Sequence, residues 1–555
     1  MLPSCRNVLS KTTLLAACAG AWLGVGPAAW AAPLDEGLAR RFLAQGTFGP
    51  TEASTQALMA SGKAAWLQQQ FLLPASDYTG LPPVDHNSAV GCPAGAVPTC
   101  QRDNYSLFPL QVQFFRNALT GPDQLRQRTA LALSEILVVS GEQIRLPYAM
   151  ANYERILLGN AFGNFRTLLR EVSLNPAMGK FLNMANNDKP NPARGSQPNE
   201  NYAREVLQLF SIGLWLLNPD GSRKLGADGQ PVPSFDQAAV EGFAHAFTGW
   251  TYPPRPGAAV KFPSPTWFAG PMVAVAKHHD LGAKTLLGGV IQPAGQSAEA
   301  DLDAAINSIF NHPNVGPFIG RQLIQQLVTA NPSPAYVARV TAAFNGVGAG
   351  AVNTPRGDMK AVLTAILLDP EASNPATPQH FGKLREPILQ LTHLYRSLGG
   401  VSDGVWLRTQ AAALGQPVFS PGSVFNFFPP DFDLPDDASL DGPAFGVFNA
   451  SAAFKLSGVL SAALSGRAVA PDASVVGSIG SIGSQIDLTP WLPLAADPAA
   501  LVREIQRRLL AGRISPPLQQ ALLQAAQLFP PSKPLDRVKA ALFLATMAPE
   551  YLVEH

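Results

Sequence analysis

With 555 residues, 46% of them hydrophobic and 14% charged, the chain can bury a large core or divide into several domains. Its 40 Lys and Arg nearly balance its 39 Asp and Glu, so a formal charge of +1 gives no electrostatic footprint for nucleic acid as a partner.

Residues 1–31 read as an export signal. Arg6 and Lys11 supply the positive start, 14–25 is apolar, Pro27 interrupts it, and Ala29-Trp30-Ala31 offers small residues for cleavage. Leu15-Ala16-Ala17-Cys18 matches the pattern after which bacterial lipoproteins are cut and acylated, but the apolar run between Lys11 and Cys18 is short. Cleavage after Ala31 is the favoured reading and a lipid anchor through Cys18 the lesser one. Either way the chain is expected in the periplasm or outside the cell. Losing Arg6 and Lys11 takes the formal charge from +1 to −1. No later apolar run reaches membrane-spanning length, so no transmembrane segment is expected in the mature chain.

Cys92 and Cys100 lie in a Gly/Pro/Ala-rich loop. An exported pair this close is expected to form a structural disulfide; only His86 adjoins it, so a metal site is the weaker reading.

Helical periodicity recurs along the chain, at 33–44, 52–70, 106–117, 122–139, 149–158, 165–172, 200–214, 235–247, 298–310, 315–329, 334–344, 356–368, 384–398, 405–413, 443–464, 498–510, 516–526 and 535–547. The 48 Gly and 51 Pro fall largely between these segments, which predicts long ordered loops. In the longest, 250–297, the pieces Trp267-Phe268, Met272-Val273-Ala274-Val275 and Thr285-Leu286-Leu287-Gly288 suit one or two short hairpins. The expected fold is mainly α: a single large multi-helix domain at 32–465, a Gly/Ser-rich loop at 466–487, and a C-terminal helical group at 488–555 packing on the main domain. No solenoid repeat is present.

Residues 199–213 are the most informative. On a helical wheel Glu200, Ser211, Arg204, Gln208, Asn201 and Glu205 share an arc of about 140°, with apolar residues filling the rest. Two carboxylates, a guanidinium and two amides hold fixed hydrogen-bond geometry, unlike a face of flexible Lys and Glu. Gly213 stands where a helix C-cap glycine would sit. A surface helix tied by a Glu200–Arg204 pair is the competing reading.

Several stretches together resemble one family. They are Arg41-Phe42-Leu43-Ala44-Gln45-Gly46-Thr47-Phe48-Gly49-Pro50-Thr51, Ala161-Phe162-Gly163-Asn164-Phe165, Asn175-Pro176-Ala177-Met178 and Asn199-Glu200-Asn201-Tyr202-Ala203-Arg204-Glu205. Thr248-Gly249-Trp250, His279-Asp280 with Lys284-Thr285-Leu286, and Gly382-Lys383-Leu384-Arg385-Glu386-Pro387 follow. Gly415-Gln416-Pro417 and Ser423-Val424-Phe425-Asn426-Phe427-Phe428 complete the series. This order resembles the bacterial exported family catalogued as domain of unknown function 1800, over nearly the whole mature chain. The family carries no established reaction; the resemblance implies a sulfatase-like exported protein as a partner. It departs at one point. Where relatives carry a Trp-His-Asn-type stretch, this chain reads Ala130-Leu131-Ala132-Leu133-Ser134-Glu135-Ile136-Leu137, so Ser134 and Glu135 would have to substitute.

The chain lacks Gly-x-Ser-x-Gly and His-Glu-x-x-His, which removes sequence support for an ordinary serine hydrolase or a helical zinc protease. The Gly-rich run at 346–350 lacks the Lys-Ser/Thr of a phosphate loop and reads as a turn. What remains is carboxylate chemistry. Glu200 and Glu205 diverge around the helix, so a catalytic pair would join one of them to Asp280 or Glu386. Arg204 favours an ionised Glu200 that orients or accepts protons, and a partly buried Glu205 is the better donor. Asn201, Gln208 and Lys284 are candidate substrate contacts, and Trp250 and Trp267 could stack on sugars, with core packing as the alternative. His279-Asp280 reads first as a turn, then as a general base with its orienting carboxylate, and only weakly, with His278, as metal ligands. No cofactor or metal is assigned. Two functions follow: an exported enzyme acting on a polysaccharide or other polymer by carboxylate acid/base chemistry, or a non-catalytic scaffold for the sulfatase-like partner. A buried ionic network joining Glu200 and Glu205 to Lys383, Arg385 and Glu386 would give the same residue types without catalysis.

Overall fold

Proline opens helix after helix in this chain, at Pro147, Pro176, Pro334, Pro387, Pro498, Pro516, Pro534 and Pro549, where its missing N–H costs no helical hydrogen bond. Short polar side chains also cap helix starts: Asn164, Asp236, Ser297 and Ser333 each accept from a first-turn N–H. The 51 prolines are therefore start signals for helices as well as loop formers. In the computed structural model, residues 34–348, 354–373, 381–475 and 480–554 are described. The expected signal at 1–31 and the Cys18 anchor lie outside them.

The fold is mainly α, with only short two-stranded antiparallel sheets. One contiguous apolar cluster runs from Ala39 in the first helix to Tyr551 near the C-terminus. It takes in the helices Pro498–Leu509, Pro516–Gln527 and Pro534–Met547, which pack on one another and touch Glu36–Gly46, Pro387–Leu398 and Ala450–Ala463. No helix among the described residues is long and apolar enough to cross a membrane. Cys92 and Cys100 form a disulfide, with their Cα atoms 5.8 Å apart.

Three helical segments depart most from the sequence reading, each for a local reason. The segment 52–70 is two helices, Glu52–Ser61 and Lys63–Leu72, broken where Gly62 takes a φ of 78°. The segment 443–464 is a short 3₁₀ turn, Pro443–Gly446, and a helix, Ala450–Ala463, restarted by the Asn449 cap. Helix 200–214 is shorter than expected, Asn201–Gln208. Beyond it the turns widen, because Phe210 N bonds Glu205 O and both Ile212 N and Gly213 N bond Leu207 O. Gly213, at φ 72°, closes this wide turn.

In the 250–297 loop, Trp250–Thr251 pairs with Val273–Ala274 and Lys284–Thr285 with Ile291–Gln292. Ser484–Gln485, within the Gly/Ser-rich segment, pairs with Val401–Ser402. The C-terminal strand Val553–Glu554 pairs with Lys383–Leu384 and so holds the segment that opens helix Pro387–Leu398.

Candidate active site

The polar face of helix Asn201–Gln208 divides among three environments. Glu200 and Arg204 pair at 2.9 Å, both substantially exposed, and Gln237 joins them by donating to Glu200 and accepting from Arg204. The amide of Asn201 donates to Asn183. Glu205 is half-buried, burial raises its carboxyl above the ordinary value, and its Oε2 has no hydrogen-bond partner. Gln208 turns the other way and lines a groove described below.

His279 and Asp280 point apart. The His279 ring is buried, its Nδ1 3.0 Å from the Thr248 carbonyl and its Nε2 2.9 Å from Asp301. Lys284 reaches the same Asp301 oxygen at 2.7 Å and donates to the carbonyls of Asp280 and Gly282. Asp301 and Lys284 are as sealed as His279. Asp280 faces helix Gln237–Ala246, where its carboxylate bonds His245; the Gly282 N–H and His245 hold it below its ordinary value against the cost of burial. His278 bonds Asp188 and stacks on Phe262, away from His279. Trp250 is buried in its strand, and Trp267 lies against Tyr148 with the Arg255 guanidinium over it. The sequence candidates thus occupy several places and do not converge on one cavity.

Carboxylates do converge elsewhere. Glu135 lies in the last turn of helix Gln124–Ile136, and Glu386 holds the N-cap position of helix Pro387–Leu398. Pro387 brings no N–H to that helix end, whose positive pole favours negative charge beside it. Gln416, in the turn after helix Val405–Ala413, ties the two together. Its Nε2 donates to Glu135 Oε1 at 3.1 Å and to Glu386 Oε2 at 2.8 Å, while its Oε1 accepts from Ile388 N at 2.9 Å. The backbone donor fixes which way the amide points.

The shared amide holds the two buried carboxyls close together. Burial first, then the Glu386 carboxylate, pushes Glu135 well above the ordinary range, with Arg128 and Lys383 pulling the other way, so a proton on Glu135 is favoured. Each carboxyl keeps one oxygen, Glu135 Oε2 and Glu386 Oε1, without a hydrogen-bond partner. Lys383 is buried beside the pair, and burial pushes its ammonium down against the opposing pull of Glu554, Glu386 and Glu135. Behind them Arg128 bonds the Gln326 carbonyl and leaves Nε and Nη1 without partners.

Glu135, Lys383 and Glu386 line a cavity of about 360 Å³ whose walls include Phe381, Phe428 and the amides of Gln325, Asn331 and Asn426. A second cavity of about 560 Å³ adjoins it through the shared residues Gln322, Gln325, Pro430 and Asp441, and carries Gln208, Trp215, Phe318 and Phe425. At the junction Gln325 donates to three acceptors, and its buried Oε1 accepts from none. Two mixed apolar and amide cavities with shared walls, and an amide-bridged carboxyl pair in one of them, have the character of a binding trough with acid/base groups.

A mainly helical protein with a buried carboxyl pair at a cavity wall is what the coordinates define. The chain matches the model of the family described as "Protein of unknown function (DUF1800)" over residues 41–553, and it belongs to that family. No curated protein and no solved structure matches it.

Sequence reasoning had named Glu135 and Glu386 singly and quoted Lys383 and Gln416 within motifs, without pairing them. Asp301, His245, Gln325 and Arg128 escaped it. Asp301 looked like an ordinary first-turn acid in helix Ala298–Asn311, and Arg128 and Gln325 sit among apolar residues with no motif to mark them.

Proposed function

We propose that this chain is an acid/base hydrolase whose centre is the Glu135–Glu386 carboxyl pair, acting after export on a polymer segment laid in the adjoining cavities. The Gln416 amide that holds the two buried carboxyls together, at the wall of the cavity of about 360 Å³, carries this reading. Two buried carboxyls held this close favour one proton between them, so one is acid and the other base at the same pH. The base, Glu386, takes a proton from a water as its oxygen bonds a carbonyl carbon. The acid, Glu135, gives its proton to the leaving nitrogen or oxygen as that bond breaks, and transfer of the gained proton from Glu386 to Glu135 restores the pair. Lys383 and Arg128 supply positive charge beside the developing anion.

The closeness of the pair bears on the bond class. Glycoside hydrolysis with two carboxyls needs them roughly 5 Å or more apart, to seat a sugar carbon or a water between them. Carboxyls bridged by one amide nitrogen, at 3.1 and 2.8 Å, are too close for the inverting class and favour an amide or ester. The Cys92–Cys100 disulfide supports export into an oxidising compartment.

A small aryl epoxide tests the site without knowledge of the natural substrate, because esterification needs an ionised carboxylate and a nearby acid together. Peptide mass mapping is expected to find the adduct on Glu386 or Glu135 and to lose it in Glu386→Gln. Labelled casein, a p-nitrophenyl ester and dye-linked xylan then distinguish amide, ester and glycoside cleavage. Turnover of casein or the ester, lost in Glu386→Gln at unchanged melting temperature, supports the reading. Failure to label either carboxyl, or an unfolded Glu386→Gln and Glu135→Gln, reduces the pair to a buried network that docks helices.

A further inference from the structure

Next to the strand Lys383–Leu384 lies a smaller cavity of about 80 Å³. Lys383, Leu384 and Glu386 line the larger space, and Arg385 among them lines the smaller. Five guanidiniums surround the small cavity, those of Arg40, Arg41, Arg385, Arg508 and Arg513, against the carboxylates of Glu550 and Glu554. Arg40 and Arg508 are committed elsewhere. Arg40 holds Glu36 and Glu52, each at 2.8 Å, and Arg508 holds Glu504 at 2.5 Å. Arg385 donates to the Tyr551 carbonyl and lies 3.8 Å from Glu554, and Arg513 enters no ion pair among the described residues. His393 adds a side chain only 4% exposed, whose Nδ1 has no hydrogen-bond partner.

We infer that this cavity binds one oxyanion of the phosphate or sulfate class, held by Arg41, Arg385, Arg513 and His393.

The electrostatics of the cavity fit that occupant. Burial, and then the charge of Arg513, push the Arg41 guanidinium down to about 10. Burial and the charges of Arg385, Arg40 and Arg396 hold His393 far below its ordinary value, so the imidazole is neutral and offers one N–H. The cations therefore repel one another, and an anion among them removes that cost while accepting several charge-assisted hydrogen bonds. The space suits one compact tetrahedral group, and the Glu554 carboxylate at its edge competes with it for Arg385. The site is separate from the proposed hydrolase centre, although Glu550 and Val553 line both cavities.

Calorimetric titration of the full chain with sodium sulfate and with sodium phosphate, at an ionic strength held constant with chloride, tests the inference. One-to-one saturable binding is expected, weakened about tenfold or more by Arg513→Gln, an exposed position that does not threaten folding. Glu554→Gln should strengthen binding, and Arg503→Gln, at an exposed arginine outside the cavity, should leave it unchanged. Chondroitin sulfate distinguishes the sources within the class. Competition with inorganic sulfate points to an ester on a polymer, its absence to the free ion, and both support the site. No saturable heat with either salt, or equal weakening by Arg513→Gln and Arg503→Gln, overturns it.

Discussion

Glu135, at the end of one helix, and Glu386, at the start of another, are held together by the Gln416 amide nitrogen, which donates to both carboxyls. This has a direct consequence for stability. Burial raises the Glu135 carboxyl well above its ordinary 4.5, so the folded chain binds its proton more tightly than the unfolded chain does. The associated stability is fully present below about 4.5 and is lost as pH rises through the folded value. Glu154, fully buried and raised by burial alone, acts in the same direction. Glu135→Gln should flatten the decline as pH rises above about 5, and adding Glu154→Gln should flatten it further. Urea unfolding from about pH 5 upward measures the slope. An unchanged slope in the double variant would mean that both side chains ionise freely in the folded protein.

A second buried charge group should behave differently. His279 and Lys284 both reach Asp301 Oδ2, and Asp301 Oδ1 already lacks a partner. Lys284→Met leaves a sealed carboxylate with one neighbour instead of two and should cost about 3–5 kcal/mol. Asp301→Asn should cost less, because the Lys284 ammonium left behind keeps the Asp280 and Gly282 carbonyls as acceptors. Reading both by urea unfolding separates the cases, and a Lys284→Met loss below about 1 kcal/mol would mean that water reaches Asp301.

These two clusters show what the sequence made legible and what it did not. The helical fold was readable because its signals are local: apolar periodicity, Ser, Asn and Asp caps, and prolines at helix starts. Even there Gly62 and Asn449 each split what periodicity alone joined. Residues 199–213 drew attention because six polar groups share one helical face, yet the face meets solvent at Glu200 and Arg204 and a groove only at Gln208. The centre at Glu135, Glu386 and Gln416 gave no such pattern. Its members come from separate helices, and each alone resembles a routine helix end or turn residue. Only tertiary packing brings them together, so the motif Gly382-Lys383-Leu384-Arg385-Glu386-Pro387 could be quoted without its partner being visible.

Gly242 offers a test of how closely the Lys284 strand must lie on its helix. It faces strand Lys284–Thr285 from helix Gln237–Ala246, and a Cβ there would stand 1.8 Å from the Thr285 carbonyl oxygen. That atom belongs to the backbone, so a side chain cannot turn aside to relieve the clash. Gly242→Ala should cost on the order of 3 kcal/mol and shift Lys284 away from Asp301. A thermal melt compared with Gly159→Ala, where an added Cβ meets nothing within 4 Å, isolates the steric term. Equal melting temperatures for the two variants would contradict the close approach.

Ala511 should respond in the opposite direction. It follows helix Pro498–Leu509 with a φ of 49°, in the left-handed region where a Cβ crowds the carbonyl that follows. Its own carbonyl oxygen lies 2.6 Å from where a Cβ on Gly37 would stand, so the first helix approaches too closely for the turn to relax outward. Ala511→Gly removes the strain and should stabilise by about 1 kcal/mol, less the extra freedom glycine brings to the unfolded chain. Because Ala511 also lines the small arginine-rich cavity, the same variant should gain stability with and without sulfate by equal amounts. A gain confined to the sulfate-free protein would instead mean that the strained turn shapes the anion site, since glycine would then relax it at the expense of binding.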